Sequence, residues 1–338
     1  MINNRRTYLY TFIKIYYYIH IITMNDLYKL NYCDENPTRT LDEYENVNID
    51  GFQIFQNIPE LIQSNPNIIS DDNVLIHFIN GCSGFGSQIT IFMQILYYFN
   101  EVYPKATCLP HFSNNNTNFK YHDKNYNNSF FLYYKRRIPI NDIQNYKQYA
   151  VHSHVIGNYP FFENVTNIRK YPANDYIQFF FKNYEFIIDQ RTTTIIDNIR
   201  CQNKPLFGIH IRSIYQKNVH AQDYLSISIN DRIRMLKEKI DKNNTDYLIF
   251  AMSDVAPYIE TVKSIFPNVY YFENVKRIDN DYTDIICVLN DNECGYKLGM
   301  DILTECYAMS MCDKIFVSNS NIPAIISTMT PDIEFEEY

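Results

Sequence analysis

The sequence predicts a two-domain α/β protein in which each domain is built around a parallel β-sheet. Short apolar runs typical of buried strands alternate with amphipathic segments typical of helices, which is the pattern of parallel sheets. This alternation occurs in two blocks separated near residues 200–204. A chain of 338 residues with 46% hydrophobic residues can bury a core in each block.

The first block opens with a strand, a glycine turn and a helix. The apolar run 74–79 indicates a buried strand, and a turn with three glycines follows at 81–86. We expect the next helix at 88–103, with Ser87 as its cap. Strand, turn and helix in this order form half of a βαβ unit.

The rest of the first block gives weaker signals. A second strand is expected at 106–110, and the polar, Asn-rich stretch 113–128 is expected to be a surface loop. Residues 73–203 are therefore predicted to form the N-terminal domain. The polar segment 25–72, which several prolines interrupt, is predicted to be a stem with short helices.

The second block, residues 204–338, alternates more regularly. Strands are expected at 205–211, 246–252, 268–272 and 314–317, and helices at 227–240, 254–266, 299–311 and 320–328. Ser228 is a plausible cap for the first of these helices, and Pro323 falls in the first turn of the last one, where proline is tolerated. The charged segment 273–293 is expected to be a loop.

Charge and cysteine content exclude several classes of partner and site. The net charge is −8 and no basic stripe stands out, so nucleic acid is not an expected partner. The eight cysteines include no C-x-x-C pair and no histidine at zinc-finger spacing, which argues against structural zinc.

The N-terminal segment 1–24 allows two interpretations. Residues 7–24 are mostly apolar and follow two arginines, as in a type II membrane anchor, although Lys14 lies inside the run. Alternatively, Met24 is the true start of the protein and the upstream stretch is not translated. The sequence therefore leaves the compartment open between membrane-anchored and cytoplasmic.

The glycine turn is the first candidate for ligand binding. Gly84 and Gly86 precede a helix N-terminus, where backbone N–H groups can approach a ligand. The G-x-x-G-x-G spacing differs from the dinucleotide pattern, which disfavours an NAD-dependent oxidoreductase. No Gly-Lys-Ser/Thr ending follows, so a P-loop NTPase is also disfavoured. The alternative is a tight turn that binds no ligand.

The strand at 205–211 carries the second candidate site. His210 and Arg212 come at its carboxyl end and, because side chains alternate along a strand, they point to the same side. Ligands of open α/β sheets bind at this edge, and the guanidinium fork suits a diphosphate. The alternative is an arginine that pairs with a neighbouring helix.

Two later strands also end in polar residues. Ser253 and Asp254 follow the strand at 246–252, where an ordinary helix cap is an equally simple explanation. The strand at 314–317 ends in a polar run whose hydroxyls and helix N-terminus could hold a phosphate. Its candidate residues are Ser318, Ser320 and Asn321.

Two carboxylates could recognise a nucleotide base. Asp301 and Glu305 are four residues apart and share one helix face. A carboxylate accepts hydrogen bonds from both N1–H and the 2-amino group of guanine, a pairing that adenine does not offer.

Taken in order, these motifs resemble the fucosyltransferase superfamily, which includes α-1,6-, nodulation-type and protein O-fucosyltransferases. The resemblance covers about residues 75–330. It implies a GT-B fold of two Rossmann-like domains facing a cleft, with the acceptor on the N-terminal domain and GDP-fucose on the C-terminal one. It also implies an inverting transfer without a metal or other cofactor.

The same resemblance implies roles for individual residues. Arg212 would bind the donor diphosphate, His210 and either Glu305 or Asp301 the guanine side, and Ser320 a phosphate or the ribose. The acceptor would be a glycan or a glycoprotein, whose identity and linkage the sequence does not reveal.

The loop after Arg212 departs from the family pattern. The α-1,6 group has a second arginine where this chain has Ser213, and the loop looks shorter. The candidates for its catalytic groups are Gln216, Lys217, His220 and Asp223. Among them we expect His220 to act as the base and Lys217 to place positive charge near the diphosphate.

Two other functions stay open. Asp279-Asn-Asp281 is a D-x-D string that could hold a divalent cation, as in a metal-dependent GT-A transferase. Because the surrounding loop is rich in Asn and Asp, such a string arises easily by chance. The second alternative is a catalytically inactive protein that binds a nucleotide sugar, which Ser213 and the uncertain base would favour.

Overall fold

The computed structural model describes residues 29–31, 41–56, 58–69, 71, 73–79, 84–112, 121, 123, 125–152, 173–212, 228–280, 295–318 and 320–338. The strands in this part of the chain are β1 (Lys29–Leu30), β2 (Ile54–Phe55), β3 (Val74–Ile79), β4 (Thr107–His111), β5 (Tyr134–Arg136), β6 (Lys147–His152), β7 (Tyr184–Phe186), β8 (Leu206–Ile211), β9 (Leu248–Ser253), β10 (Val269–Phe272), β11 (Lys314–Val317) and β12 (Phe335–Glu337).

The helices are α1 (Ile58–Ser64), α2 (Phe85–Val102), α3 (Phe130–Tyr133), α4 (Ala173–Asn183), α5 (Gln190–Arg200), α6 (Ile229–Asp241), α7 (Ala256–Ile265), α8 (Gly295–Ser310) and α9 (Ile322–Ser327). Single turns of 3₁₀ helix lie at Pro66–Ile69 and Ile143–Asn145.

A four-stranded parallel sheet forms the N-terminal part of the fold, in the order β2-β6-β3-β4. Its central strand β3 is buried along its whole length, as expected for an apolar run that is covered on both faces. Helix α2 follows β3 directly and packs its buried face, which includes Phe92 and Phe99, into the main core.

A six-stranded parallel sheet forms the C-terminal part, in the order β1-β10-β9-β8-β11-β12. On one side of β8 the sheet continues with β9 and then β10. On the other side of β8 it continues with β11 and then β12. The strand order therefore reverses between β8 and β11, which is the topological switch point where open α/β sheets bind ligands.

Tyr133 joins the two parts of the fold. Its hydroxyl donates to the carbonyl oxygen of Tyr121 at 2.9 Å and to that of Tyr296, at the start of α8, at 3.2 Å. Its ring lies against Gly299, where an added Cβ would come within 2.7 Å of two ring carbons. Glycine is required here because the aromatic ring of one part packs directly on the helix backbone of the other.

These observations confirm the α/β class with parallel sheets, and several elements match the sequence closely. Strand β11 has the expected bounds, and Ser228 caps α6 by accepting a hydrogen bond from the backbone N–H of Asp231 at 3.2 Å. Pro323 lies in the first turn of α9, as predicted.

Other elements differ from the expectation. The segment expected to be a stem contributes β1 to the six-stranded sheet and β2 to the four-stranded sheet. Ser87 lies inside the first turn of α2, because the N-cap is Gly84. Asn128, at the end of the expected surface loop, is fully buried. Its side chain accepts from the backbone of Phe112 and donates to that of Pro110, which accounts for its burial.

In the part of the chain that the structure describes, no helix is both long enough and apolar enough to cross a membrane. The anchor considered at residues 7–24 lies outside that part.

Candidate functional site

The backbone of Arg212 is held directly across the switch point. Arg212 follows β8 and Ser318 follows β11, and the backbone N–H of Arg212 donates to the Ser318 hydroxyl at 2.9 Å. The backbone N–H of Ser318 in turn donates to the carbonyl of His210 at 3.2 Å. The arginine is half-buried. The backbone of Arg212 is therefore fixed at the sheet edge where open α/β sheets bind ligands.

His210 is buried on the strand that leads to this edge. It stands in register with Met252 of β9 and Val317 of β11, and its carbonyl also accepts the hydroxyl of Tyr338 at 3.2 Å. His210 and Arg212 are two residues apart, so their side chains share one face of the extended chain. The side chain of Tyr338, which follows the edge strand β12, thus contacts the end of β8.

Ser253 ends the neighbouring strand. It stands in register with Ile211, one residue before Arg212, and is buried. Its hydroxyl accepts from the backbone N–H of Val255 at 3.1 Å, which forms a local turn just before α7, whose N-cap residue is Val255. Asp254 is half-buried at the same edge and its carbonyl accepts from the backbone N–H of Ile278 at 2.9 Å.

A buried ion pair joins Glu305 to Arg277. The side chain of Arg277 is 7% exposed and that of Glu305 is 4% exposed. The same guanidinium donates through Nε to the carbonyl of Ser253 at 3.0 Å, and through Nη1 to the carbonyls of Phe272 at 2.7 Å and Val275 at 3.2 Å. Arg277 therefore ties the carboxyl ends of β9 and β10 to helix α8.

Asp301 lies one helical turn before Glu305 and is also buried. Its Oδ2 accepts the backbone N–H of Lys276 at 3.0 Å, and its Oδ1 lies 3.9 Å from the ammonium of Lys297. Both predicted base-recognition carboxylates thus face the segment that follows β10.

The charge state of Glu305 reflects opposing influences. Burial raises the pKa of Glu305 to about 8, and the negative charges of Asp301 and Asp254 act in the same direction. The Arg277 guanidinium lowers this pKa. The Arg277 guanidinium thus favours the charged form of Glu305, whereas burial and the two aspartates favour the neutral form.

The glycine turn and the last motif meet each other. The side-chain amide of Asn321 donates to the Ser87 hydroxyl at 2.8 Å. A Cβ added at Gly86 would lie 3.4 Å from the Cβ of Asn321, so the start of α9 occupies this side of the glycine. The Ser320 hydroxyl accepts the backbone N–H of Ile322 at 3.1 Å, just before α9, whose N-cap residue is Asn321. Gly84 has no heavy atom within 4 Å of an added Cβ.

Several predicted residues lie outside the described part of the chain: Ser213, Gln216, Lys217, His220, Asp223 and Asp281. Asp279 is described and exposed. Within the described ranges no group of three or more His, Cys, Asp and Glu side chains is arranged to hold a metal ion. The D-x-D string and the proposed base therefore stay predictions.

Arg277 is the residue of this site that sequence reasoning did not identify. It lies in the charged segment that was expected to be a loop, beside the bridge between Val255 and Ile278. A signal was present, because Asp301 and Glu305 share a helix face amid apolar residues, and buried carboxylates require partners. The sequence alone does not identify which cation pairs with these carboxylates.

Comparison with known proteins gives likenesses in structure. No protein-family model matches the chain, and no curated protein matches it significantly. NodZ alpha-1,6-fucosyltransferase, from a crystal soaked with GDP-fucose, is similar at a TM-score of 0.46 and 14% identity, over 78% of this chain and 95% of that one. Fucosyltransferase NodZ from Bradyrhizobium gives a TM-score of 0.45 at the same identity, over 78% and 95% of the two chains.

A variant of FUT1 from Arabidopsis thaliana in complex with GDP gives a TM-score of 0.38 at 11% identity, over 81% of this chain and 73% of that one. Two of these three structures carry the name fucosyltransferase.

Proposed function

We propose that this protein is a glycosyltransferase that transfers a sugar, fucose as the first candidate, from a GDP-sugar to a glycan or protein acceptor. The observation that carries the proposal is the switch point between β8 and β11, where Ser318 holds the backbone of Arg212 at 2.9 Å. Arg212 is half-buried at the edge where open α/β sheets bind ligands, and its guanidinium suits a diphosphate. We therefore favour diphosphate binding over a surface salt bridge as its role.

The base of the nucleotide would be recognised on the β9 side of the same edge. Asp254, Asp301 and Glu305 place three carboxylates near the carboxyl ends of β9 and β10. Guanine presents two adjacent donors to a carboxylate, whereas uracil presents one and adenine presents a donor beside an acceptor. This accumulation of acceptors favours a guanine nucleotide.

The proposed reaction is an inverting transfer without a metal. The acceptor hydroxyl attacks the anomeric carbon while the bond to the diphosphate breaks, and a base takes the hydroxyl proton. The diphosphate gains negative charge in the transition state, and Arg212 stabilises it. We assign the base to His220 and supporting positive charge to Lys217, with the acceptor bound toward the N-terminal sheet.

A thermal-shift comparison of GDP, UDP, ADP and CMP tests the nucleotide assignment. A ligand at 100 times its dissociation constant should stabilise the protein by ~2.7 kcal/mol. We expect GDP to give the largest rise in melting temperature, with and without EDTA. A response to UDP or ADP as large as that to GDP would contradict the proposal, and a response lost in EDTA would favour the metal-dependent alternative.

An inactive nucleotide-sugar-binding protein is the second candidate, because Ser213 stands where the α-1,6 group has an arginine. Such a protein would bind GDP in calorimetry but release no GDP from GDP-fucose. Measuring GDP release with and without a panel of glycan acceptors separates the two functions.

A further inference from the structure

We propose that Arg277 is a positioning residue for nucleotide recognition, which fixes the Glu305 carboxylate so that it can accept the donors of a guanine base. This inference rests on the proposed function. Arg277 itself would not contact the nucleotide, and would act through Glu305.

The geometry of Arg277 is that of a fixed support. Three of its hydrogen bonds go to backbone carbonyls at the ends of β9 and β10, those of Ser253, Phe272 and Val275. These contacts leave the Nη2 end of the fork directed at Oε1 of Glu305. Because the planar guanidinium is held on two sides by the sheet, it fixes the carboxylate relative to the strand ends.

Glu305 retains acceptor capacity in this arrangement. Among the described residues Arg277 is its hydrogen-bond partner, through Oε1. An ionised carboxylate has about four lone-pair sites, so Oε2 and the second lone pair of Oε1 can still receive N–H donors. The ion pair therefore orients the Glu305 carboxylate and leaves lone pairs available to accept further hydrogen bonds.

The surrounding charges explain why a cation is needed. Asp301 and Asp254 both disfavour a negative charge on Glu305, as does burial. The ammonium of Lys297 lies 3.9 Å from Oδ1 of Asp301. Without Arg277 the pKa of the Glu305 carboxyl would rise further, and the protonated form loses acceptor capacity and presents a donor.

The test compares GDP with inosine diphosphate, which lacks the 2-amino group of guanine. Calorimetry on the parent should show a preference for GDP of about tenfold, the value of one charge-assisted hydrogen bond. Arg277→Met should reduce this preference to within about twofold, as should Glu305→Gln, whereas Arg277→Lys should restore part of it because the positive charge is kept.

A matched control separates recognition from folding. Lys314 pairs with Glu334 and Glu336 at the amino end of β11, on the opposite edge of the same sheet. Lys314→Met should lower the melting temperature and leave the GDP preference at the parental value. Both variants are measured with the same two nucleotides.

The outcomes are distinct. A parent that binds neither nucleotide contradicts the proposed function itself. If the parent prefers GDP and Arg277→Met keeps that preference or binds GDP more tightly, the positioning role is wrong. If Arg277→Met does not fold, the pH dependence of the nucleotide preference is measured on the parent protein instead. Its GDP preference should increase between pH 6.5 and 8.5 as Glu305 ionises, and a flat preference would overturn the inference.

Discussion

The side-chain amide of Asn321 donates a hydrogen bond to the hydroxyl of Ser87 at 2.8 Å, and so joins two motifs that lie 234 residues apart. Ser87 belongs to the helix that follows the glycine turn, and Asn321 is the N-cap residue of the helix that follows β11. The two parts of the fold thus meet between the helix that follows the glycine turn and the polar run after β11, which the sequence marks separately as candidate ligand-binding motifs.

We expect this hydrogen bond to contribute modestly to stability. Ser87→Ala and Asn321→Ala should each lower the free energy of unfolding by ~0.5–1.5 kcal/mol, and the double variant should cost less than the sum. Denaturant unfolding measures all three. Ser264→Ala, which removes an exposed hydroxyl from α7, is the control and should change stability by less than ~0.5 kcal/mol. Strict additivity would argue against direct coupling.

The contact between Gly299 and Tyr133 predicts a larger effect. A Cβ at position 299 would lie 2.7 Å from ring carbons of a buried tyrosine, so Gly299→Ala should destabilise the protein by ~1–3 kcal/mol. Gly84→Ala is the matched control, because no heavy atom lies within 4 Å of its added Cβ. Equal melting temperatures for the two variants would show that the two parts do not pack in this way.

Buried histidines in the N-terminal sheet predict sensitivity to acid. Burial lowers the pKa of His77 to about 4, below its usual 6.5, and that of His111 well below the same value. The stabilising neutral form is fully present above pH 6.5, and its contribution is lost as the pH falls through about 4. The free energy of unfolding should therefore fall between pH 6.5 and 4. His77→Leu should fall less steeply, and a slope equal to that of the parent would contradict this assignment.

Local sequence patterns predict the fold best where the residues of a strand or helix are sufficient to determine it. The strands β3, β8, β9 and β11 are short apolar runs followed by polar or glycine residues, and such patterns carry their own signal. Strand β1 has two residues and exists because it pairs with β10, far away in sequence. Such pairing leaves no local trace, so the expected stem could not be distinguished from two edge strands.

In the candidate site too, some features follow from local sequence patterns and others depend on long-range contacts. Arg212 and Ser318 could be placed at one sheet edge because the carboxyl ends of parallel strands share an edge. The partner of Glu305 could not be identified, because several cations lie in the intervening segments. Only the bridge that brings Ile278 beside Val255 selects Arg277.

The proposed role of Arg212 is tested most directly by the rate of GDP release from GDP-fucose, in the presence of acceptor, by the Arg212→Ala variant. We expect turnover to fall by about 100- to 1,000-fold, because the departing diphosphate loses its main positive partner. Arg200→Ala, which removes an exposed arginine at the end of α5, should keep parental turnover. An Arg212→Ala variant with near-parental turnover would contradict the central claim.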